Sequence, residues 1–215
     1  MPGVKPEHES GFSEFPEYIP LVPAVYNQIP ESRQFSNFDC GDSVAQVMAY
    51  LYGYPVREDV LLDLLGTSKH ESSGTDWREI EKFLTEHCKL NVKTGIEISL
   101  DELRQLLDND CRVIVLLQAW GADDSVDLTA TYDEGHYAVA IGYGNDETIG
   151  DYIIFEDPST LGNLTFIQAD YFDKRWHHEE NDGEKVNHFG LWVESGEVKY
   201  QNGHDQAPSV YVEMK

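Results

Sequence analysis

Basic residues, cysteines and long apolar runs are all scarce in this sequence, and each shortage argues against a class of protein. Only 15 lysines and arginines stand against 40 aspartates and glutamates, a net charge of −25. A field of that sign repels phosphate backbones and anionic headgroups, so nucleic-acid binding and polybasic membrane docking are disfavoured. No stretch approaches the ~18 uninterrupted apolar residues of a membrane span, and no integral membrane segment is expected. The three cysteines, Cys40, Cys88 and Cys111, form no C-x-x-C pair, and an odd count argues against a disulfide framework. They build no close ligand set with histidine either, so neither a metal nor an organic cofactor is expected.

Proline is scarce beyond residue 30. Six of the nine (Pro2, Pro6, Pro16, Pro20, Pro23 and Pro30) fall within the first thirty positions. Each removes a backbone donor and biases its predecessor toward extended geometry, which rules out a regular helix there. Residues 1–28 therefore read as an extended arm with one or two strand-like pieces over 18–25, packed on the rest through Ile19, Leu21, Val22, Val25 and Tyr26. The first ten residues lack the apolar stretch of a secretory signal. A cytoplasmic location is expected, and a processed form that has lost a leader stays open.

What remains suffices for one folded unit. Hydrophobic residues make up 40% of the 215, with 12% aromatic, enough for a sizeable core in a single domain over 29–215. Val44, Val47, Met48 and Leu51 recur at helical spacing over 41–52, and Gly53 ends that helix. Further helices are predicted over 57–65, over 75–87 and from the capping box Ser99-Leu-Asp-Glu102. The pattern then changes to strands: 113–117 as a continuous β-branched run, 136–143, 152–156, and late pieces at 187–193 and 209–212. A turn is expected at 144–146 and a short helix at 170–176. Helices first and strands later describe an α+β domain, a helical part packed on a mainly antiparallel sheet. The acidic stretches 122–134 and 179–185 read as solvated rims.

Cys88 and Cys111 lie in apolar segments and read as core residues. Cys40 directly precedes the first helix, where unpaired N–H groups and the positive end of the dipole stabilise a thiolate. Gln34, six residues upstream, can donate toward an oxyanion formed beside Cys40, and the Cys40 backbone N–H would be the second donor. Of eight histidines, His8, His70, His177, His178, His188 and His204 lie in polar or turn-rich stretches and are expected to be exposed, and His87 ends a helix. His136 alone begins an apolar strand, a position suited to a general base. If the next strand pairs with it, Asp157 lies beside His136 and fixes its tautomer. Read singly, each residue has an ordinary structural explanation. Trp120 and Tyr132 flank the approach to His136, as cleft walls or, for Trp120, as core.

Gln34-x5-Cys40-Gly41, Gly135-His136-Tyr137 on a strand, and Asp157-Pro158-Ser159 together resemble the C-39-like family of papain-like cysteine peptidases, which includes bacteriocin-processing, double-glycine leader peptidases. Ala49-Tyr-Leu-Tyr-Gly53, Gly74-Thr75 and Val113-Ile-Val-Leu-Leu-Gln118 extend the likeness over roughly Ile29 to Trp176. The resemblance implies a papain-like fold, Cys40 as nucleophile, His136 as general base and acid, Asp157 as its orienter and Gln34 as oxyanion donor. The implied reaction is thiol-dependent hydrolysis of a peptide or related amide bond in a peptide or protein substrate. Two alternatives stay open: acyl transfer through the same thioester, as in transglutaminase- or phytochelatin-synthase-like relatives, and a non-catalytic peptide-binding module. Oligomeric state is not legible.

Overall fold

A computed structural model of the chain describes residues 17–36, 38–67, 74–121, 125–159, 163–180, 183–201 and 207–215. The arm supplies two short strands, β1 (Tyr18–Pro20) and β2 (Val25–Tyr26). Three helices follow: α1 (Cys40–Leu51), α2 (Glu58–Leu65) and α3 (Trp77–Lys82). The stripe on α1 is buried, with Val44, Val47, Met48 and Leu51 all at 3% exposure or less. The helix stops where Gly53 takes a left-handed φ of +85°. Asp76 starts α3 by accepting the Arg78 N–H at 2.8 Å. The single helix expected over 75–87 instead passes into a π-helical turn, Phe83–His87. There the Cys88 N–H reaches back five residues to the Phe83 carbonyl, and the wider turn buries Phe83 and Leu84 side by side.

The remaining elements are β3 (Asn91–Gly95), α4 (Leu100–Asp108), β4 (Val113–Gln118), β5 (Gly135–Asp146), β6 (Gly150–Asp157), β7 (Asn163–Gln168), α5 (Ala169–Arg175), β8 (His177–Glu179), β9 (Lys185–Asn187), β10 (Gly190–Ser195) and β11 (Val210–Glu213). The capping box at α4 is complete: Ser99 Oγ accepts the Glu102 N–H at 3.2 Å, and the Glu102 carboxylate accepts the Ser99 N–H at 2.8 Å. The turn after β5 lies at 147–149, so 144–146 extends the strand. The late strand over 187–193 is two strands, because His188 adopts φ +47° and stacks on Trp176 at 5.0 Å.

The large sheet runs β1-β11-β7-β6-β5-β4-β10-β3, with β2 beside β5, while β8 and β9 pair separately. Among the described residues, only β11 and β7 are parallel neighbours. The fold is mixed α and β with a mainly antiparallel sheet, yet the helices are not all on one side. Residues of α1, α2 and α3 meet Ile114, Leu116, Val139 and Ile154 on one face. Residues of α4 and α5 meet Val113, Val115, Ala138 and Phe155 on the other. All six residues of β4 are consequently buried, each apolar one worth roughly 1.5–3 kcal/mol of transfer free energy. Among the described residues no helix is long and apolar enough to cross a membrane.

Candidate active site

The site forms where one helix begins, one strand begins and another ends. Cys40 is the first residue of α1 and is 7% exposed. Its entry is shaped by Asp39, whose carboxylate turns back instead of capping the helix and accepts the Phe35 and Ser36 N–H groups, each at 3.1 Å. This draws Phe35 and Ser36 against the start of the helix. Behind Cys40, the buried Asp42 carboxylate accepts the hydroxyls of Thr67 at 3.1 Å and Thr75 at 2.9 Å. Burial pushes its pKa up, against the pull of those two hydrogen bonds.

Gly41 is required by close approach. A Cβ there would lie 2.6 Å from Thr75 Cβ and 3.2 Å from the Tyr137 ring. Both neighbours are fixed, Thr75 by Asp42 and Tyr137 by its hydroxyl donating to the Thr75 carbonyl at 3.0 Å. Gly41→Ala is expected to destabilise the protein by about 1–3 kcal/mol through overpacking, which chemical denaturation will measure.

β5 and β6 pair with Val139 opposite Glu156. That register leaves His136, near the start of β5, diagonal to Asp157 at the end of β6 and on the same face. Gln118, at the end of β4, holds the entry to β5: it accepts the Glu134 N–H at 2.9 Å and donates to the His177 carbonyl at 3.0 Å. His136 Nε2–H donates to Asp157 Oδ1 at 2.8 Å, and the Cys40 side chain lies near enough to the same ring to favour its charged form. Burial opposes protonation of His136, but the Asp157 charge and hydrogen bond, with Cys40 adding to them, prevail. The imidazole rises from 6.5 to about 10 and is cationic at neutral pH.

Asp157 is fully buried and accepts two further bonds. The Ser159 N–H reaches Oδ1 at 2.9 Å, and Trp120 Nε1–H reaches Oδ2 at 3.1 Å. Trp120 holds φ +57°, a costly conformation for a bulky residue, anchored by its backbone N–H donating to the Lys215 carbonyl. Sequence position alone left Trp120 open between cleft wall and core. Its role in holding the carboxylate was not anticipated, nor was that of Asp39, although an aspartate just before a helix start is a recognisable loop-closing signal.

Gln34 is tied to the site through its backbone, its N–H donating to the Pro158 carbonyl at 2.8 Å. Its side-chain Nε2 donates to the Ser36 carbonyl at 2.7 Å, and its buried Oε1 has no partner among the described residues. Cys88 and Cys111 are buried and unpaired, and burial raises both thiols, Cys88 to about 11. Two expectations need correction. His177 is buried, and His178 and His188 are half-buried, not exposed: Tyr132 packs on the His177 ring at 4.7 Å, the His177 Nε2 lies 2.9 Å from the Thr131 carbonyl, and His188 stacks on Trp176. The acidic stretches are not wholly solvated, since they bury Leu128 and Glu180. His8, His70 and His204 lie outside the described residues. Among the described residues no group of three or more histidine, cysteine or acidic side chains could hold a metal ion.

The sequence model of the Peptidase_C39 like family matches residues 25–182. The peptidase domain of Streptococcus ComA, a bifunctional ABC transporter of a quorum-sensing pathway, is similar with a TM-score of 0.52 at 20% identity, covering 79% of this chain and all of that one. A double-glycine-motif protease from an AMS/PCAT transporter, solved with its leader peptide, gives 0.52 at 15% identity over 82% and 99% of the two chains. A C39-like peptidase from Bacillus anthracis gives 0.56 at 15% identity over 80% and 98%. At these identities the likeness is one of fold. No curated protein sequence matches the chain.

Proposed function

The chain belongs to the Peptidase_C39 like family and is a cysteine peptidase-like enzyme, and we propose that it hydrolyses peptide bonds through Cys40, His136 and Asp157, with Gln34 and the Cys40 backbone N–H facing the oxyanion. The observation that carries this reading is the His136 ring, bonded at 2.8 Å to a buried carboxylate and close enough to Cys40 for the two side chains to interact. A cationic imidazole held there stabilises a thiolate beside it.

In the first half-reaction the Cys40 sulfur adds to the substrate carbonyl carbon, whose oxygen becomes an oxyanion. His136 then gives its proton to the leaving nitrogen as the C–N bond breaks, leaving a thioester. In the second half-reaction water attacks, His136 takes its proton, and the C–S bond breaks to release a carboxylic acid and restore the thiol pair. One amide hydrogen of Gln34 is committed to Ser36; the other is assigned to the oxyanion. A single donor of this kind is typically worth about 2.7–4 kcal/mol of barrier. Peptide as the substrate class is supported by the leader-peptide complex of the double-glycine-motif relative.

The test is cleavage of a mixed peptide library, read by mass spectrometry with and without added amine. New carboxyl termini from the wild type and none from Cys40→Ala are expected. Amine-capped products in place of free acids would assign acyl transfer. Peptides bound but uncut by the wild type would assign the non-catalytic binding module.

A further inference from the structure

Three consecutive residues at the end of β6 carry three separate attachments. Asp157 holds His136, and the Pro158 carbonyl accepts the Gln34 N–H at 2.8 Å. Glu156 points to the opposite face from Asp157 and is 1% exposed. Its Oε1 accepts both the Ser32 N–H at 2.8 Å and the Ser32 hydroxyl at 3.0 Å. Ser32 and Gln34 are two residues apart, so the segment leading to Cys40 is clamped twice to the strand end that orients the histidine. We infer that Glu156 is a positioning residue, fixing Ser32 and through it the Gln34 segment relative to Asp157; the inference rests on the peptidase reading given above.

The chemistry of the position supports a role beyond packing. A carboxyl group in this core is expensive unless its hydrogen bonds are met, and an apolar side chain in its place would leave the Ser32 N–H and hydroxyl without their acceptor. Among the described residues, Glu156 Oε2 has no partner. Arg33 is the cation acting on it, and Arg33 is itself paired with Glu31 at 3.2 Å near the surface. Asp157 on its own strand disfavours ionisation of Glu156, and Tyr26 on β2 feels the same carboxyl. Burial, opposed by the two Ser32 hydrogen bonds, pushes Glu156 up to about 8. At neutral pH it therefore acts as an uncharged acid that accepts from Ser32. Above that value it becomes a buried anion beside Asp157; the Ser32 bonds favour the charge, but its burial favours local opening that lets water reach it.

Two variants and two readouts test this. Glu156→Met keeps the volume and removes the acceptor; Glu156→Gln keeps the acceptor and cannot ionise. Hydrogen–deuterium exchange of Ser32 and Gln34 needs no catalysis. At pH 7, Glu156→Met is expected to exchange both amides at least ~10-fold faster, with Glu156→Gln close to wild type. At pH 9 the wild type is expected to be less protected there than Glu156→Gln. On a peptide substrate, Glu156→Met should lower kcat by roughly 10–100-fold with little change in KM, and Glu156→Gln should restore most of it. The wild-type fall in kcat near pH 8 should be missing in Glu156→Gln. Unchanged exchange in Glu156→Met, or the same alkaline fall in Glu156→Gln, would overturn the role. Absence of any wild-type turnover would count against the peptidase reading alone, and the exchange data would still decide Glu156.

Discussion

Replacing His136 with alanine is expected to slow peptide turnover by about 10⁴-fold or more, as removal of a member of a triad does, and to slow modification of Cys40 as well. Iodoacetamide reacts with thiolate, and a cation beside a cysteine raises its reactivity toward such reagents. In the wild type at pH 6, Cys40 should be alkylated faster than free cysteine. Cys88 and Cys111, buried and with raised thiols, should stay unmodified. Mass spectrometry of the labelled peptide identifies the site. In His136→Ala the charge is gone, only the helix end remains, and the rate should fall toward that of free thiol. An equal rate in the two proteins would mean that Cys40 and His136 do not act as a pair.

The same histidine sets a stability limb whose sign follows from its raised value. Its folded-state pKa, about 10, lies above the ordinary 6.5. The stabilisation it contributes is therefore complete below about pH 6.5 and is lost as pH rises through about 10. Thermal melts between pH 6 and 10 should show a steeper alkaline decline in the wild type than in His136→Ala. Parallel declines would show that the ring gains nothing from Asp157.

Which parts of this arrangement could be read from sequence depended on whether the signal was local. The stripe on α1, the capping box of Ser99 and Glu102, and the unbroken apolar run of β4 are patterns within a dozen residues, and each predicted its element. β3 and β7 were missed: Asn91–Gly95 and Asn163–Gln168 owe their strand geometry to neighbours far away in sequence, β10 for the first and β6 with β11 for the second. The placement of α4 and α5 on the far side of the sheet was also hidden, because an amphipathic helix shows that it has a buried face but not which layer covers it. At the site, His136 and Asp157 were legible as a strand start and a strand end separated by one turn. Trp120 was not, since its contact with Asp157 depends on a left-handed backbone held by Lys215. Glu156 shares a face with Tyr152 and Ile154 on a strand that is buried on both sides from Tyr152 to Asp157, so a charged residue there stands out.

Asp157→Asn is expected to cost more than the loss of a charge, because the carboxylate accepts three N–H donors at once. His136 Nε2 and the Ser159 N–H bond one oxygen, and Trp120 Nε1 bonds the other. An asparagine offers one oxygen and one NH₂. With the oxygen toward His136, the NH₂ confronts the indole N–H. With the amide turned over, it confronts the imidazole and the Ser159 N–H and favours the wrong tautomer. Either way a buried donor is left unpaired, at about 1–3 kcal/mol. Turnover should fall roughly 10–100-fold in Asp157→Asn and further in Asp157→Ala. Trp120→Phe removes the opposing donor while keeping an aromatic ring. Alone it should lower turnover only modestly, through a looser Asp157. Combined with Asp157→Asn it should recover both melting temperature and kcat relative to Asp157→Asn, a coupling opposite in sign to additive damage. Losses in the double variant as large as the product of the two singles would show that the Trp120 bond does not position Asp157.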